Sequence, residues 1–537
     1  MATTLSFNYE SAMRPTIRPG LALPLLLVTN VLAAQKPPSD FDPYVRRVMQ
    51  TFTVPGLSVA IVKDGKVVQA KGYGVRRMGE PAPVDERTRF GIASNTKLFT
   101  ATALALLVED GKVEWDAPVI RYLPAFALYD PYVTRELTVR DLLVHRSGLG
   151  LGAGDLLWWP QSTYDRKEIA RRLRFIPPAT SFRGAYAYDN VLYLVAGEVI
   201  EAVSGQTWEQ FVRERILRRV GMVRSDVLLS SAGEGGNVAG THAEVEGTVR
   251  PIAPFLSDNT NPAGGIMSGA ADMAKWMIVQ LDSGRVAGGD RLFSTGTTSQ
   301  LWREVTPTPI GDPPDALPHL RPHMAGYALG LNVRDYRGRR LLQHTGGLPG
   351  YLSKVAMIPE LRLGVAVLTN QESGAAFESI VYRVLDHYLG AKAPDYPSAY
   401  QRLVEQGRAK LRKLDQEAAT TRDSTSGPSL PLQRYAGTYR DAWYGDVTIA
   451  MEGKGLVIRF GSTPSLVGDL IHWQHDSFLA RWRDRELRAD AYATFALRHD
   501  GSIERLRLVP GSPAVDFSFD FQDLDLRPVS RDSAATH

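Results

Sequence analysis

Two hairpin signals lie far apart in the chain, with apolar helix-like stretches between them, and they constrain the fold more than any other feature. In the first, residues 56–75, two β-rich runs flank Asp64-Gly65. An Asp-Gly pair between such runs favours the tight turn of a hairpin. The second comprises residues 354–358 and 363–369. Between them, residues 95–110 read as a helix ended by Gly111, and the stretch 98–108 is apolar nearly all round, as in a core helix. Residues 191–203 form another apolar helix closed by Gly205, and 377–389 carry helical apolar spacing. Residues 138–144 read as a short helix with Thr138 as its N-cap. Strands at both ends of residues 40–390 and helices in the middle predict an α+β fold. One antiparallel sheet is flanked by helices and joined to an all-helical region, with no βαβ repeat.

The chain has 537 residues, more than one ordinary domain needs. After residue 392 its character changes. Residues 393–430 hold a charged, Ala-rich helix-like piece and then the linker composition of residues 420–429. Residues 431–537 alternate short β runs (447–451, 456–460, 478–482, 494–497) with turns such as Asp500-Gly501, which predicts a small all-β sheet or barrel. At the other end, Arg14 and Arg18 precede the apolar stretch 21–34 and its small-residue exit. Residues 1–35 therefore read as a secretory signal cleaved near Ala34, preceded by an extension, with Met13 as a start. The expectation is an exported protein, periplasmic or secreted. No later run of 18 apolar residues exists, so no membrane span is expected once the signal is removed. The net charge is only +4, from 62 basic and 58 acidic residues, which argues against a nucleic-acid partner. The absence of cysteine excludes disulfides, thiolate nucleophiles and Cys-ligated zinc.

Three short motifs can carry chemistry. Ser94-Asn-Thr-Lys97 is the only Ser-x-x-Lys in the chain. On a helix, i and i+3 share a face, so the lysine can assist loss of the serine proton. Tyr188-Asp-Asn190 is the only Tyr-x-Asn. A phenol beside an ammonium is expected to ionise more easily, and the asparagine can bond a substrate amide or orient Lys97. His344-Thr-Gly-Gly347 precedes a strand, and the Gly347 N–H paired with that of Ser94 can form an oxyanion hole. Each also has a bland reading: a helix cap with a surface lysine, a core tyrosine with a turn asparagine, a turn. His319 and His323 are separated by Pro322, and His472 and His475 lack nearby acidic partners, so no metal site is expected. Gly-x-Ser-x-Gly, His-Glu-x-x-His and a Walker loop are absent. Trp158-Trp159 and the loop after Gly148 either line a cleft or serve packing.

Taken in order, the three motifs resemble the Ser-x-x-Lys, Tyr-x-Asn and Lys-Thr-Gly elements of the serine β-lactamase and penicillin-binding-protein superfamily, in particular its class C members. The stretch 138–149, the stretch 262–273 beginning Pro262-Ala-Gly-Gly, and Tyr327-Ala-Leu-Gly-Leu resemble further landmarks of that superfamily. The resemblance covers roughly residues 40–390, and the segment 432–520 is similar to a lipocalin-like β module. It implies a serine hydrolase domain over residues 36–392, with Ser94, Lys97 and Tyr188 catalytic, Ser94 and Gly347 forming the oxyanion hole, and Asn190, His344, Thr345 and Gly346 contacting substrate. No cofactor is implied. His344 stands where lysine is usual, which weakens carboxylate recognition and favours peptide or amide bonds of D-residues, or esters, over β-lactams. A β-lactamase, and an envelope-binding protein without turnover, are the alternatives. Homo-oligomers can form through the C-terminal domain.

Overall fold

The computed structural model describes residues 36–234 and 236–529. The signal segment expected at residues 1–35 lies outside the described residues. Among the described residues, no helix is long and apolar enough to cross a membrane.

Eight strands form the first sheet: β1 (Gly56–Lys63), β2 (Lys66–Gly74), β3 (Thr306–Pro307), β4 (Ala325–Tyr327), β5 (Asn332–Tyr336), β6 (Arg339–Leu348), β7 (Tyr351–Ile358) and β8 (Leu363–Thr369). Their order is β2-β1-β8-β7-β6-β5-β4-β3, antiparallel throughout. The two distant hairpins thus join edge to edge, with Val59 opposite Val367. Asp64 and Gly65 both take positive φ, 52° and 75°, as a two-residue hairpin turn requires. β3 to β6 were not anticipated. β6 opens on two arginines and closes on two glycines, so its sequence reads as a loop.

The central strand β8 is buried along its whole length because both faces of the sheet are covered. Leu57, Val59 and Ile61 point to a layer holding helix α1 (Phe41–Thr51) and a later helix, Gly374–Tyr388. Ala60 and Val62 point the other way, into the core built on α2 (Lys97–Glu109), α3 (Val191–Ser204) and α4 (Ala270–Leu281). α2 is buried from Lys97 through Leu107, as its all-round apolar pattern requires. The short helix expected at 138–144 is instead one 3₁₀ turn, Asp141–Leu143. The buried Asp141 carboxylate accepts from Thr138 N and Oγ1 and from Arg146 and Arg183. Thr138 also accepts from the Asp141 N–H at 3.3 Å, so it makes the capping contact expected of it, at the head of a shorter turn.

After helices α5 (Gly374–Tyr388) and α6 (Tyr396–Thr421) and the linker, a second antiparallel sheet follows. Its strands are β9 (Gly437–Asp441), β10 (Gly445–Glu452), β11 (Gly455–Phe460), β12 (Val467–Gln474), β13 (Ser477–Trp482), β14 (Ala491–Leu497), β15 (Ile503–Pro510) and β16 (Arg527–Pro528). Their order is β15-β14-β13-β12-β11-β10-β9-β16. The Leu506 N–H donates to the Leu526 carbonyl at 2.8 Å, which nearly closes the sheet into a barrel. The fold is therefore the α+β sheet with helical region expected, followed by a barrel-like β module.

The two sheets share one apolar core. Tyr444 meets Tyr164 edge-on at 6.5 Å, and Phe519 meets Trp159 at 6.4 Å. Arg172 donates to the carbonyl of the buried Trp443 at 2.9 Å. A shared core predicts a single cooperative transition when calorimetry is compared with near-UV circular dichroism; two resolved transitions would contradict it. Trp443→Ala should lower unfolding stability by about 3–5 kcal/mol in denaturant titration.

Candidate active site

The three motifs converge at one end of the first sheet. Ser94 lies in the 3₁₀ turn Ala93–Thr96 that leads directly into α2, whose first residue is Lys97. Ala93 holds φ at +48°, a conformation rare for a side chain with a β-carbon and found where structure over-determines it. β6 passes closely beneath. A β-carbon at Gly346 would lie 2.2 Å from the Ile92 carbonyl oxygen and 2.6 Å from Ser353 Oγ, so only glycine fits there. Asn190 precedes α3, and the Asp189 carboxylate accepts from Leu192 N at 3.3 Å.

Lys97 is fully buried. Its Nζ lies 3.0 Å from Ser94 Oγ, 2.7 Å from Asn190 Oδ1 and 3.1 Å from the Ala263 carbonyl oxygen. That carbonyl comes from the helical turn Asn261–Gly264, within the Pro262-Ala-Gly-Gly stretch. Burial pulls the Lys97 ammonium down to about 7, against the opposing attraction of the Asp155 and Asp189 carboxylates. The partners fix what a neutral amine does here. The two carbonyl oxygens can only accept, so they take its two N–H groups, and the lone pair is left facing Ser94 Oγ. The lysine is thus an oriented base.

Tyr188 also belongs to the cluster. The Lys97 nitrogen lies 4.8 Å from its ring centroid, and its phenol interacts with Ser94. An easily ionised phenol was expected, but the reverse holds. Burial pushes the phenol well above its ordinary value, and the bond with Ser94 offsets this only in part. A Lys97 that sheds its own charge near neutrality gives little help. The fully buried His145 packs on the Tyr188 ring at a centroid distance of 4.3 Å and on Tyr327 at 4.4 Å.

His344 is neutral and locked. Its Nδ1 lies 2.5 Å from the Thr345 carbonyl oxygen and must donate there, so Nε2 accepts from the Tyr327 hydroxyl at 2.8 Å. Burial, and then the Lys97 charge, pull the imidazole down to about 3. Both nitrogens are engaged within the protein, although the residue still lines the cleft over Ser94. Asn190 is likewise spent internally: Oδ1 on Lys97, and Nδ2 donating to Asp155 Oδ2 at 2.9 Å. It therefore orients the lysine. Gly346 is buried under the Ser94 turn, while Thr345 and Gly347 remain on the open wall.

The cleft over Ser94 has a volume of about 320 Å³. Trp158, Trp159 and Tyr186 line it, so the tryptophan pair both packs and faces the cleft. It continues past Leu348 into a chamber of about 490 Å³ walled by Trp159, Phe255 and Phe519. Asp516, Phe517 and Ser518 of the C-terminal β module also line the first space. Phe517 packs on Gly152, where a β-carbon would come within 2.7 Å of the ring. Sequence reasoning missed these three residues and Asp155; His145, Ala263 and Tyr327 fell within the stretches that resemble family landmarks but were given no role. Asp155 sits in an unremarkable Gly-Asp-Leu-Leu, and Ala263 contributes only a carbonyl, so neither carries a side-chain signal.

Residues 41–389 match the family model described as Beta-lactamase. The chain belongs to that family. Residues 421–528 of this β-lactamase-family chain match a domain of unknown function, DUF3471. Unguisins hydrolase ungD of Aspergillus violaceofuscus is 30% identical across 77% of this chain and 76% of its own length. Penicillin-binding protein 4 of Amycolatopsis lactamdurans is 27% identical across 64% of this chain and 88% of its own. An octameric penicillin-binding protein homologue from Pyrococcus abyssi superposes with a TM-score of 0.55 at 22% identity, covering 91% of this chain and 99% of that one. D-amino acid amidase from Ochrobactrum anthropi SV3 gives 0.53 at 23% identity, covering 66% and 100%. These structural likenesses show the fold. The family is of serine-hydrolase type, as the motif resemblance implied.

A base role for Lys97 requires the neutral amine, so on that assignment kcat/KM should be flat above about pH 7 and fall about tenfold per pH unit below it. A profile without that acidic limb contradicts the assignment. Gly346→Val should abolish turnover by displacing the Ser94 turn, measured as lost hydrolysis of an activated ester.

Proposed function

We propose that the chain is a serine hydrolase that forms an acyl-enzyme on Ser94 and cleaves amide or peptide bonds of D-residues, or esters. The observation that carries this reading is the Lys97 nitrogen, 3.0 Å from Ser94 Oγ with its other hydrogen-bonding capacity taken up by carbonyl oxygens.

In the first step Ser94 Oγ adds to the substrate carbonyl carbon while its proton passes to Lys97 Nζ. The N–H groups of Ser94 and Gly347 receive the tetrahedral oxyanion. The carbon–nitrogen or carbon–oxygen bond to the leaving group then breaks. The leaving group takes a proton from the Tyr188 hydroxyl, which is refilled from the Lys97 ammonium. A phenol with a raised pKa suits this carrier role, since it stays protonated until the leaving group develops charge. In the second step water adds to the acyl carbon, its proton passes to the Tyr188–Lys97 pair, and the Ser94–acyl bond breaks as the proton returns to Ser94.

The substrate class rests on two supports. The neutral, internally bonded His344 offers no cation to a substrate carboxylate, which disfavours β-lactams. The aromatic walls of the cleft suit an apolar side chain, in keeping with a D-amino acid amidase among the structural neighbours and an unguisins hydrolase among the relatives. A scaffold that binds without turnover is the competing reading.

Ser94→Ala should cut hydrolysis of p-nitrophenyl butyrate by about 10³-fold or more while leaving the fold intact. A fluorophosphonate should label Ser94 in the wild type; an unlabelled, inactive wild-type protein would favour the binding scaffold. Across nitrocefin, p-nitrophenyl butyrate and a D-Ala p-nitroanilide, nitrocefin should have the lowest kcat/KM, and a dominant nitrocefin rate overturns the substrate assignment. His344→Lys should shift relative kcat/KM toward carboxylate-bearing substrates.

A further inference from the structure

The loop between β15 and β16 leaves the β module and enters the catalytic cleft. Its polar side chains converge on one short segment of the hydrolase domain, the residues around Asp155. Asp520, fully buried, accepts from Gly154 N at 2.7 Å and from Leu156 N at 3.0 Å, the amides on either side of Asp155. Ser518, also buried, donates from Oγ to Asp155 Oδ2 at 2.8 Å across a separation of 363 residues. The β module therefore holds the two amides that flank Asp155 and, separately, the Asp155 side chain.

Asp155 in turn decides how Asn190 faces Lys97. Its carboxylate is completely buried and accepts from Trp158 Nε1 at 2.8 Å as well as from Ser518 and Asn190. Burial raises this carboxyl to about 7 against the pull of those donors, and in its ionised form it can only accept, so the Asn190 Nδ2 group then faces it. The carboxamide then presents Oδ1 to Lys97. Were the amide reversed, an N–H group would meet the lysine and the Nζ lone pair would be drawn away from Ser94. A chain of hydrogen bonds runs from Ser518 to Asp155, to Asn190, to Lys97 and to Ser94, while Asp520 fixes the backbone on either side of Asp155.

We propose that the C-terminal β module is a working part of the active site, in which Ser518 and Asp520 are positioning residues that hold Asp155 and, through Asn190, keep Lys97 aimed at Ser94. This rests on the reading of Ser94 and Lys97 as the catalytic pair. It assigns the module a role that linker-joined domains need not have: the hydrolase domain is incompletely organised until the module docks. Neither residue is expected to contact the scissile bond, so their loss should act on turnover more than on substrate binding.

The test uses the full chain and four variants: Ser518→Ala, Ser518→Thr, Asp520→Asn and Tyr164→Phe. The last removes a different bond across the same interface, from the Tyr164 hydroxyl to the Tyr444 carbonyl, with no link to Asp155. The readouts are kcat and KM for p-nitrophenyl butyrate, the rate of fluorophosphonate labelling of Ser94, and the thermal midpoint. Ser518→Ala should lower kcat about tenfold, the scale expected for losing one hydrogen bond to a charged group, with KM unchanged, the protein still folded at the assay temperature despite a lowered thermal midpoint, and labelling slowed in proportion. Ser518→Thr, which keeps the hydroxyl, should restore the rate. Tyr164→Phe should leave both rates at the wild-type level. If Asp520→Asn does not fold, the Ser518 pair decides. A Ser518→Ala protein labelled and turned over at the wild-type rate overturns this proposal alone, whereas a wild-type protein that takes up no label overturns it together with the Ser94–Lys97 reading.

Discussion

A lysine nitrogen with no access to water is the constraint around which the molecule is arranged. Burying a bare ammonium costs several kcal/mol even after relaxation. The protein lowers that cost by discharging the amine, which burial pulls to about 7, and by giving each N–H a carbonyl partner. Each partner comes from a different part of the chain. Asn190 stands at the head of α3, Ala263 in a helical turn, and Ser94 in the strained turn before α2. The sheet enters through Gly346, which lets β6 reach the Ser94 turn. Packing, backbone conformation and electrostatics thus serve one end, a lone pair directed at a hydroxyl.

Several parts of this arrangement were legible in the sequence because they follow from local periodicity. Asp64-Gly65 between apolar runs specifies a hairpin wherever it occurs, and the unbroken apolar stretch of α2 specifies a buried helix. The three motifs identified the site because their residue types have a shared chemical use. What the sequence hid depends on tertiary neighbours. Whether Lys97 or Tyr188 ionises more readily is set by how far each is buried, so spacing alone misassigned the phenol. The bonds that engage the polar atoms of Asn190 and His344 come from Asp155, Tyr327 and the Thr345 carbonyl, and no motif says which way those groups point. β6 was hidden because two arginines at its start and two glycines near its end mask a strand whose burial alternates from Leu342 to Leu348.

The β module shows a different limit. Its strands could be anticipated from turn spacing, yet nothing in a lipocalin-like stretch announces that its last loop contributes Asp516, Phe517 and Ser518 to a cleft built by residues between Ala93 and Leu348. The continuous core and the buried Ser518 and Asp520 contacts make the two halves one physical object. In this chain a neutral histidine at position 344 leaves no cation at that wall of the cleft, and the second domain supplies another part of the wall.

The central claim is that Lys97 is a neutral base near physiological pH, and a direct titration of that side chain tests it most closely. With lysine ¹³C-labelled at Cε and the resonance assigned by its loss in Lys97→Arg, the chemical shift should move with a midpoint of about 7, apart from the surface lysines. A Lys97 resonance that titrates with the others, above about 10, would contradict the account.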